Sequence, residues 1–273
     1  MTRPLDNRGA DEALNADRLG QRLETGWLAR RLVVFKTIGS TNDYALALPD
    51  LEAVHGLAVL AERQTAGRGR FARRWEAPRG RALLMTLVLR GEGFGQAGSA
   101  LTMATSVAVR RVLGRAGCGP CQIRWPNDVL LSGRKVCGIL TEAGPWRATP
   151  GWAVGIGLNV NQAREDFPAA LRQGATSLAA EAGRVFDRHA LFAELAWELE
   201  SSLEALASGP EGREAIRREW EGASCLLGRI VAVDTGEEIV EGMAMGLEAD
   251  GGLIVRLEAG PLRTLRAGTV FKS

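Results

Sequence analysis

The chain has 273 residues, 46% of them apolar and 24% charged, with a formal net charge of +2. This is the balance of a globular protein with room for one large domain or two ordinary ones, and it leaves no global field to hold a nucleic acid or an anionic membrane. No apolar run reaches the ~18–20 residues of a membrane span, and the polar start Met1-Thr2-Arg3-Pro4 lacks the apolar core of a signal peptide.

Residues 1–31 are mixed in charge. Leu14, Leu19, Leu23 and Trp27 give a weak helical period, so one amphipathic helix is expected there. That is too little for the helical unit of a DNA-binding domain. Residues 32–36 read as a strand. Gly39-Ser40-Thr41-Asn42-Asp43 follows, then a helical run over 44–48. Ser40 or Thr41 can cap that helix, and hydroxyl and amide side chains at a helix start also offer donors to a ligand. On the residues alone both uses stay open.

The apolar run 57–61 reads as a second strand and 82–89 as a third. Between them lies Glu62-Arg63-Gln64-Thr65-Ala66-Gly67-Arg68-Gly69-Arg70-Phe71-Ala72-Arg73-Arg74-Trp75. Seven arginines and one acid, Glu76, fall between Arg63 and Arg81. Gly67 and Gly69 let the backbone approach a ligand closely. Successive N–H groups in such a turn form an anion-binding concavity, and arginine adds planar forks that match carboxylate and phosphate oxygens. A solvated basic hairpin is the plain alternative.

Residues 97–113 predict a buried helix, closed by Gly114 and Gly117. Cys118 and Cys121 have redox-motif spacing but stand between a helix end and a strand, where no helix start stabilises a thiolate. No second pair completes a zinc site. Four cysteines in this length do not suggest a disulfide scaffold, which places the chain in the cytoplasm. The two histidines, His55 and His189, have no partner motif, so the chemistry must run on Lys, Arg, Asp and Asn.

In Arg124-Trp125-Pro126-Asn127-Asp128, proline breaks the strand ladder and puts Asn127 and Asp128 at a sharp bend. Ser132-Gly133 is a hairpin turn, and residues 134–142 return as a strand. Lys135 follows Arg134 at its start, and a lysine there is ordinarily the mark of a solvated edge. Gly138 within the strand implies close approach by another group. Residues 152–161 form another strand. Gly155 and Gly157 share one face of it, and a ligand or another backbone is expected to fill the gap they leave. Residues 175–182, 187–207 and 211–221 read as helices, the middle one long and amphipathic. Short strands at 229–233, 239–247, 253–257, 262–266 and 269–272 read as a small all-β barrel. The expected boundary lies near 222.

Four pieces now stand in one order: Gly39-Ser40-Thr41-Asn42, Gln64 to Arg70, Trp125-Pro126-Asn127-Asp128 with Lys135, and Gly155-Ile156-Gly157-Leu158-Asn159. Together they resemble the biotin–protein ligases over roughly residues 32–271. The resemblance implies an α+β fold. A class II synthetase-like catalytic domain with a mixed sheet backed by helices would occupy 32–222, a small SH3-like β-barrel 223–273, and a partly helical extension 1–31. It implies that biotin and ATP give biotinyl-5′-AMP, whose acyl group passes to one lysine of a biotin carboxyl carrier domain. Lipoate-type ligases and a phosphate- or RNA-binding module are the alternatives. The Gly-Arg-Gly-Arg loop speaks against the first, and Lys135 with the glycine-lined strand against the second.

Carried over by motif, Ser40, Thr41, Asn42 and Gln64 fall to the biotin ureido ring. Gly67, Arg68, Gly69 and Arg70 fall to the loop that closes over the acyl phosphate, and Gly138 and Gly157 to the pocket wall. Lys135 falls where the biotin carboxylate meets the α-phosphate. Asn127, Asp128 and Asn159 fall to the nucleotide and Mg²⁺ side, with Asp128 the metal ligand. Arg73 and Trp75 fall near the triphosphate and adenine. Lys135, Arg68 and Asp128 are the expected catalytic set. Two positions depart from the pattern: Ala72 where the loop has glycine, and Arg124 where lysine precedes the Trp-Pro-Asn-Asp run. The expected partner is the carrier domain, without DNA or membrane, and the expected state a monomer or weak homodimer.

Overall fold

The computed structural model describes residues 12–50, 54–91, 94, 98–258 and 260–272. Seven strands form the first sheet. They are β1 (Leu32–Phe35), β2 (Ala58–Ala61), β3 (Ala82–Arg90), β4 (Cys121–Arg124), β5 (Asp128–Leu131), β6 (Arg134–Ala143) and β7 (Gly151–Asn159). Their spatial order is β1-β2-β3-β7-β6-β5-β4. β1 and β2 pair in parallel and the other neighbours antiparallel, so the sheet is mixed. β3 is central because its run Ala-Leu-Leu-Met-Thr-Leu-Val-Leu is buried throughout, the pattern of a strand covered on both faces. The β5–β6 turn at Ser132 and Gly133 has positive φ at both residues, 50° and 76°, the geometry that matches strand twist in a tight hairpin.

Among the described residues six α-helices flank the sheet: α1 (Ala16–Arg22), α2 (Thr41–Leu46), α3 (Gly98–Arg115), α4 (Leu178–Ala182), α5 (Arg188–Ala207) and α6 (Pro210–Ala223). Alternation along the strands decides which face each covers. Leu83, Met85, Leu87 and Leu89 of β3, with Val154, Ile156 and Leu158 of β7, enter one large core with α3, α5 and α6. The opposite face carries Val59, Val88 and Ala153, packed beneath Ala45, Tyr44 and Leu46 of α2. Further along that face come Gly155, Gly157 and Gly138, where the site lies.

Three helices differ from the sequence reading: of the expected 175–182 only α4 forms, behind a Ser177 cap, and the other two are the N-terminal helix and α5. The N-terminal helix is only α1, capped by the Asn15 side chain, and Trp27 lies beyond it in a turn. α5 is not amphipathic in the ordinary sense, because charged residues as well as leucines are buried on it. The fully buried carboxylates have structural partners, while Glu194 Oε2 is buried without one. Glu198 holds Arg115 at 2.5 Å and Arg111 at 3.3 Å. Glu200 accepts from the backbone N–H of Gly26, Trp27 and Leu28 at 2.7–2.8 Å. Burial pushes that carboxyl upward, but the three donors outweigh it and hold it below its ordinary range.

The C-terminal strands are β8 (Ile230–Asp234), β9 (Ile239–Leu247), β10 (Leu253–Leu257), β11 (Leu262–Leu265) and β12 (Thr269–Lys272). All expected strands are present, as an antiparallel sheet in the order β11-β10-β9-β8-β12. β11 and β12 are its edges among the described residues, so the expected barrel is not closed by hydrogen bonds. Val231, Val233, Leu253 and Val255 join the main core. Trp125 Nε1 donates to Gly251 O at 3.1 Å and Leu247 N to Glu221 Oε1 at 2.8 Å, which fixes this sheet against the β4–β5 connection and α6.

Candidate active site

A cleft of about 400 Å³ opens on the glycine-bearing face, between α2, the arginine loop, β5–β7 and the C-terminal sheet. Its floor follows from strand register. Gly138 of β6 is directly opposite Gly157 of β7, and Gly155 is opposite Leu140 on one side and Thr86 on the other. The expected gap is filled by side chains rather than by another backbone. A Cβ on Gly157 would stand 2.4 Å from the Trp75 indole, one on Gly138 2.8 Å from it, and one on Gly155 2.2 Å from Asn42 Oδ1. Trp75 therefore lies on the two glycines assigned to the pocket wall. Its Nε1 is buried there without a hydrogen-bond partner.

At the α2 end, Ser40 caps the helix, accepting from Asp43 N at 3.3 Å. The cap frees Thr41 and Asn42 to face inward, and both are buried. Gln64 Oε1 accepts from Thr41 N at 2.7 Å and Thr41 Oγ1 at 2.9 Å. Thr86 Oγ1 lies 2.8 Å from Thr41 Oγ1 and donates to Asn42 Oδ1 at 2.6 Å. Asn42 Nδ2 donates to Glu142 Oε2 at 2.8 Å, and Glu142 holds Arg68 through two bonds of 2.7–2.8 Å. Asp43 adds a third contact to Arg68 at 2.7 Å. The Glu142 bonds, opposed by burial and helped by Asp43, raise the Arg68 guanidinium further above its ordinary value. A continuous polar chain thus runs from Gln64 to Arg68.

The loop itself is a hairpin. Trp75 N donates to Gly67 O at 3.0 Å and Gly69 N to Arg73 O at 2.7 Å. Gly67 does not line the cleft; a Cβ there would stand 2.4 Å from Trp75 O, so this glycine lets the two arms meet. At the tip, Phe71 and Ala72 have φ of 54° and 57°. The alanine that replaces the usual glycine therefore sits in the left-handed region, at a cost of about 1 kcal/mol. Arg70 reaches back to donate to Gly268 O at 3.3 Å. Burial draws its guanidinium below the ordinary arginine value, with Asp128 opposing.

At the far end Lys135 Nζ is 2.6 Å from Asp128 Oδ1 and 5.5 Å from the Trp75 ring centroid. Arg124 meets the other oxygen of Asp128 at 3.0 Å, so the arginine that departs from the usual lysine keeps a cation there. Asn127 is locked to β6, its Nδ2 donating to Ile139 O at 2.8 Å. Asn159 is on the wall but its amide is engaged, donating to Thr176 O at 3.0 Å and accepting from Gln162 at 2.8 Å. Gly69 and Arg73 complete the lining. Two carboxylates line the cleft, Asp128 and Glu76. Among the described residues no three His, Cys, Asp or Glu side chains form a metal group. A Mg²⁺ bound here would therefore depend on the triphosphate for most of its ligands, the ordinary arrangement for that ion.

The sequence reading passed over three groups of contributors. Glu142 shares its strand face with Gly138 and Leu140, so the period of two could have found it. Phe167, Leu171 and Ala175 come from a stretch of short 3₁₀ turns and loop that the bridge between Lys135 and Ala175 and the Asn159 bond to Thr176 O bring to the site. Gly268, Thr269 and Val270 come from the second sheet. The cysteines stay outside. Cys118 and Cys121 are free thiols, and burial pushes Cys121 up to about 11.

Comparison with known proteins gives the chain its setting. Residues 34–161 match the Biotin/lipoate A/B protein ligase family and residues 226–273 the biotin protein ligase C-terminal domain. The chain is 32% identical over 239 residues to the bifunctional ligase/repressor BirA of Bacillus spizizenii, covering 87% of this chain and 73% of that one. It is 37% identical over 245 residues to the biotin–[acetyl-CoA-carboxylase] ligase of Paracoccus denitrificans, covering 85% and 96%. The solved biotin protein ligase of Aquifex aeolicus in complex with biotin and ATP superposes with a TM-score of 0.78 at 26% identity, over 89% of this chain and 100% of that one.

Proposed function

Because this chain belongs to the biotin protein ligase family, we propose that its cleft joins biotin to ATP and then to a carrier lysine. The observation that carries the reading is the placement of Lys135. Its ammonium stands between the glycine floor and Asp128, with amide and hydroxyl groups at one end of the cleft and Asn127 and Asp128 at the other.

In the first step a biotin carboxylate oxygen attacks the α-phosphorus. The P–O bond to the β-phosphate breaks and pyrophosphate leaves with the electron pair. Two anions must meet, so fixed cations aimed at that point are what the protein must supply. Lys135 supplies one. Arg70, already drawn into the cleft, supplies another when its bond to Gly268 O opens. Arg68 is held at the α2 end by Glu142, so it orients the polar chain that grips the ureido ring through Thr41, Asn42 and Gln64. Mg²⁺ would be held by the phosphates with Asp128 as the protein carboxylate, and it would offset phosphate charge there. In the second step the carrier lysine, as the free amine, attacks the acyl carbon. The C–O bond to AMP breaks and the amine loses a proton. The acyl phosphate is already activated, so position and exclusion of water suffice.

The Trp75 indole covers the floor that the resemblance gives to biotin. In this reading it slides aside to wall the bound ligand, and its unpaired N–H gains an acceptor. The division at 222/223 is supported by a C-terminal family match that begins at residue 226. The helix before β1 packs on α5 through its buried Leu19, and in this reading DNA is not a partner. The state proposed is a monomer or weak homodimer. Four free cysteines support a reducing, cytoplasmic setting. Among the described residues no helix is long and apolar enough to cross a membrane.

The test is to incubate the protein with MgATP, a carrier domain and either biotin or lipoate, and to weigh the carrier. One biotinyl group on one lysine is expected. Modification by lipoate alone, or none with either acid, overturns the reading.

A further inference from the structure

The arginine loop has two feet. It leaves β2 at Glu62 and rejoins β3 at Ala82. One buried side chain from another element touches both. Arg188, the first residue of α5, is 1% exposed, and its NH1 lies 3.0 Å from Glu62 Oε1, whose side chain is 5% exposed. Its NH2 donates to Glu62 Oε2 at 3.1 Å and its NH1 to Ala82 O at 3.4 Å. The same NH2 donates to Glu12 O at 2.9 Å, and Leu14 N donates to Glu62 Oε1 at 2.7 Å, so the N-terminal segment closes over the pair. Glu62 O accepts from Gly80 N at 3.1 Å, and Gly80, with φ +72°, has only 3.2 Å from its would-be Cβ to Glu62 Oε2.

From these contacts we infer that Arg188 and Glu62 are a positioning pair for the loop that encloses the substrates. The inference rests on the proposed ligase reading. Neither residue lines the cleft. Glu62 is two residues before Gln64, whose oxygen organises Thr41, and Ala82 is two residues before Leu84, the register partner of Gly157. A tilt at either foot therefore reaches both ends of the cleft. A buried ion pair is weak evidence of stabilisation, since apolar replacements often fold as well. What the guanidinium adds is direction. It ties three chain segments to the start of α5, which Asp187 caps through His189 N at 2.8 Å.

The test uses the full-length chain with Arg188→Lys, which keeps the charge but cannot reach all three acceptors, and with the neutral double variant Arg188→Met/Glu62→Gln. Amide deuterium exchange is followed in the free protein, and pyrophosphate release is measured against biotin concentration. The expected result is exchange about tenfold faster over residues 63–81, with the rest of the sheet unchanged. The KM for biotin should rise by a similar factor and kcat stay within about threefold. A lowered unfolding midpoint with normal loop exchange and normal KM in both folded variants makes the pair merely structural and overturns the inference. If Arg188→Lys does not fold, the double variant decides by the same two readouts. If the parent itself makes no adenylate, the ligase reading fails, and the exchange data still judge the pair.

Discussion

Lys135→Met removes one charge from the cleft and keeps most of the stem that lies over Gly138. Its effects on fold and chemistry should separate. The Lys135–Asp128 contact is 2.6 Å and the lysine side chain is 30% exposed. A partly solvated pair of this kind is worth on the order of 1 kcal/mol to stability. Asp128 moreover keeps Arg124 at 3.0 Å, so no carboxylate is stranded. The chemistry is another matter. A unit charge about 4 Å from a developing anion, at an effective dielectric of about 20, contributes about 4 kcal/mol. Removing one aimed donor from an oxyanion site costs roughly 3–4 kcal/mol, in agreement. At about 1.4 kcal/mol per decade this is close to a thousandfold loss in adenylate formation. The assay is pyrophosphate release at saturating biotin and MgATP, with the urea midpoint measured alongside. A folded variant that releases pyrophosphate within about tenfold of the parent would falsify the charge role of Lys135.

Three other outcomes follow from the same geometry. Gly157→Ala places a Cβ 2.4 Å from the Trp75 ring, so biotin affinity by titration calorimetry should fall about tenfold or more, while the unfolding midpoint barely moves; unchanged affinity would remove the glycine floor from the site. Arg70→Gly breaks the tie to Gly268 O and should let the adenylate escape, so bystander proteins incubated with the variant, biotin and MgATP should become biotinylated; labelling confined to the carrier would end the shielding role. His55 and His189 each accept a backbone N–H, from Arg90 and Asn15, and burial lowers both below their ordinary 6.5. The unfolded chain then takes up protons first, so stability should be full above 6.5 and fall as pH drops through the folded values. Urea midpoints at about pH 7.5 and about pH 5 should show this fall, and a His55→Gln/His189→Gln double variant should flatten it; an equal fall in the variant would place the acid sensitivity elsewhere.

Much of the molecule is written in local pattern. The largely apolar run 82–89 reads as a strand, and the structure buries it on both faces. Ser40 or Thr41 before a helical run offered a cap, and Ser40 supplies it. Gly138, Gly155 and Gly157 at even spacing required that something press on one face of β6 and β7. Such readings depend on neighbours within a few residues, where periodicity and backbone sterics act directly. Which group presses on the glycines was not legible, because Trp75 reaches them only through the path of the loop, and that path depends on Gly67 closing the hairpin. The partners of Arg68 were hidden for the same reason: Glu142 lies 74 residues away and meets it only once strand register is set. The residues from 167 to 174 carry no periodic signal, since short 3₁₀ turns and loop are placed by what they pack against. The clearest case is α5. Its sequence promises an ordinary amphipathic helix, yet Arg188, His189, Glu198 and Glu200 are all buried on it. Burying a charge is costly unless a partner is supplied. Those partners come from the N-terminal segment, from α3 and from the two feet of the arginine loop. Only the tertiary structure brings these parts of the chain to one helix.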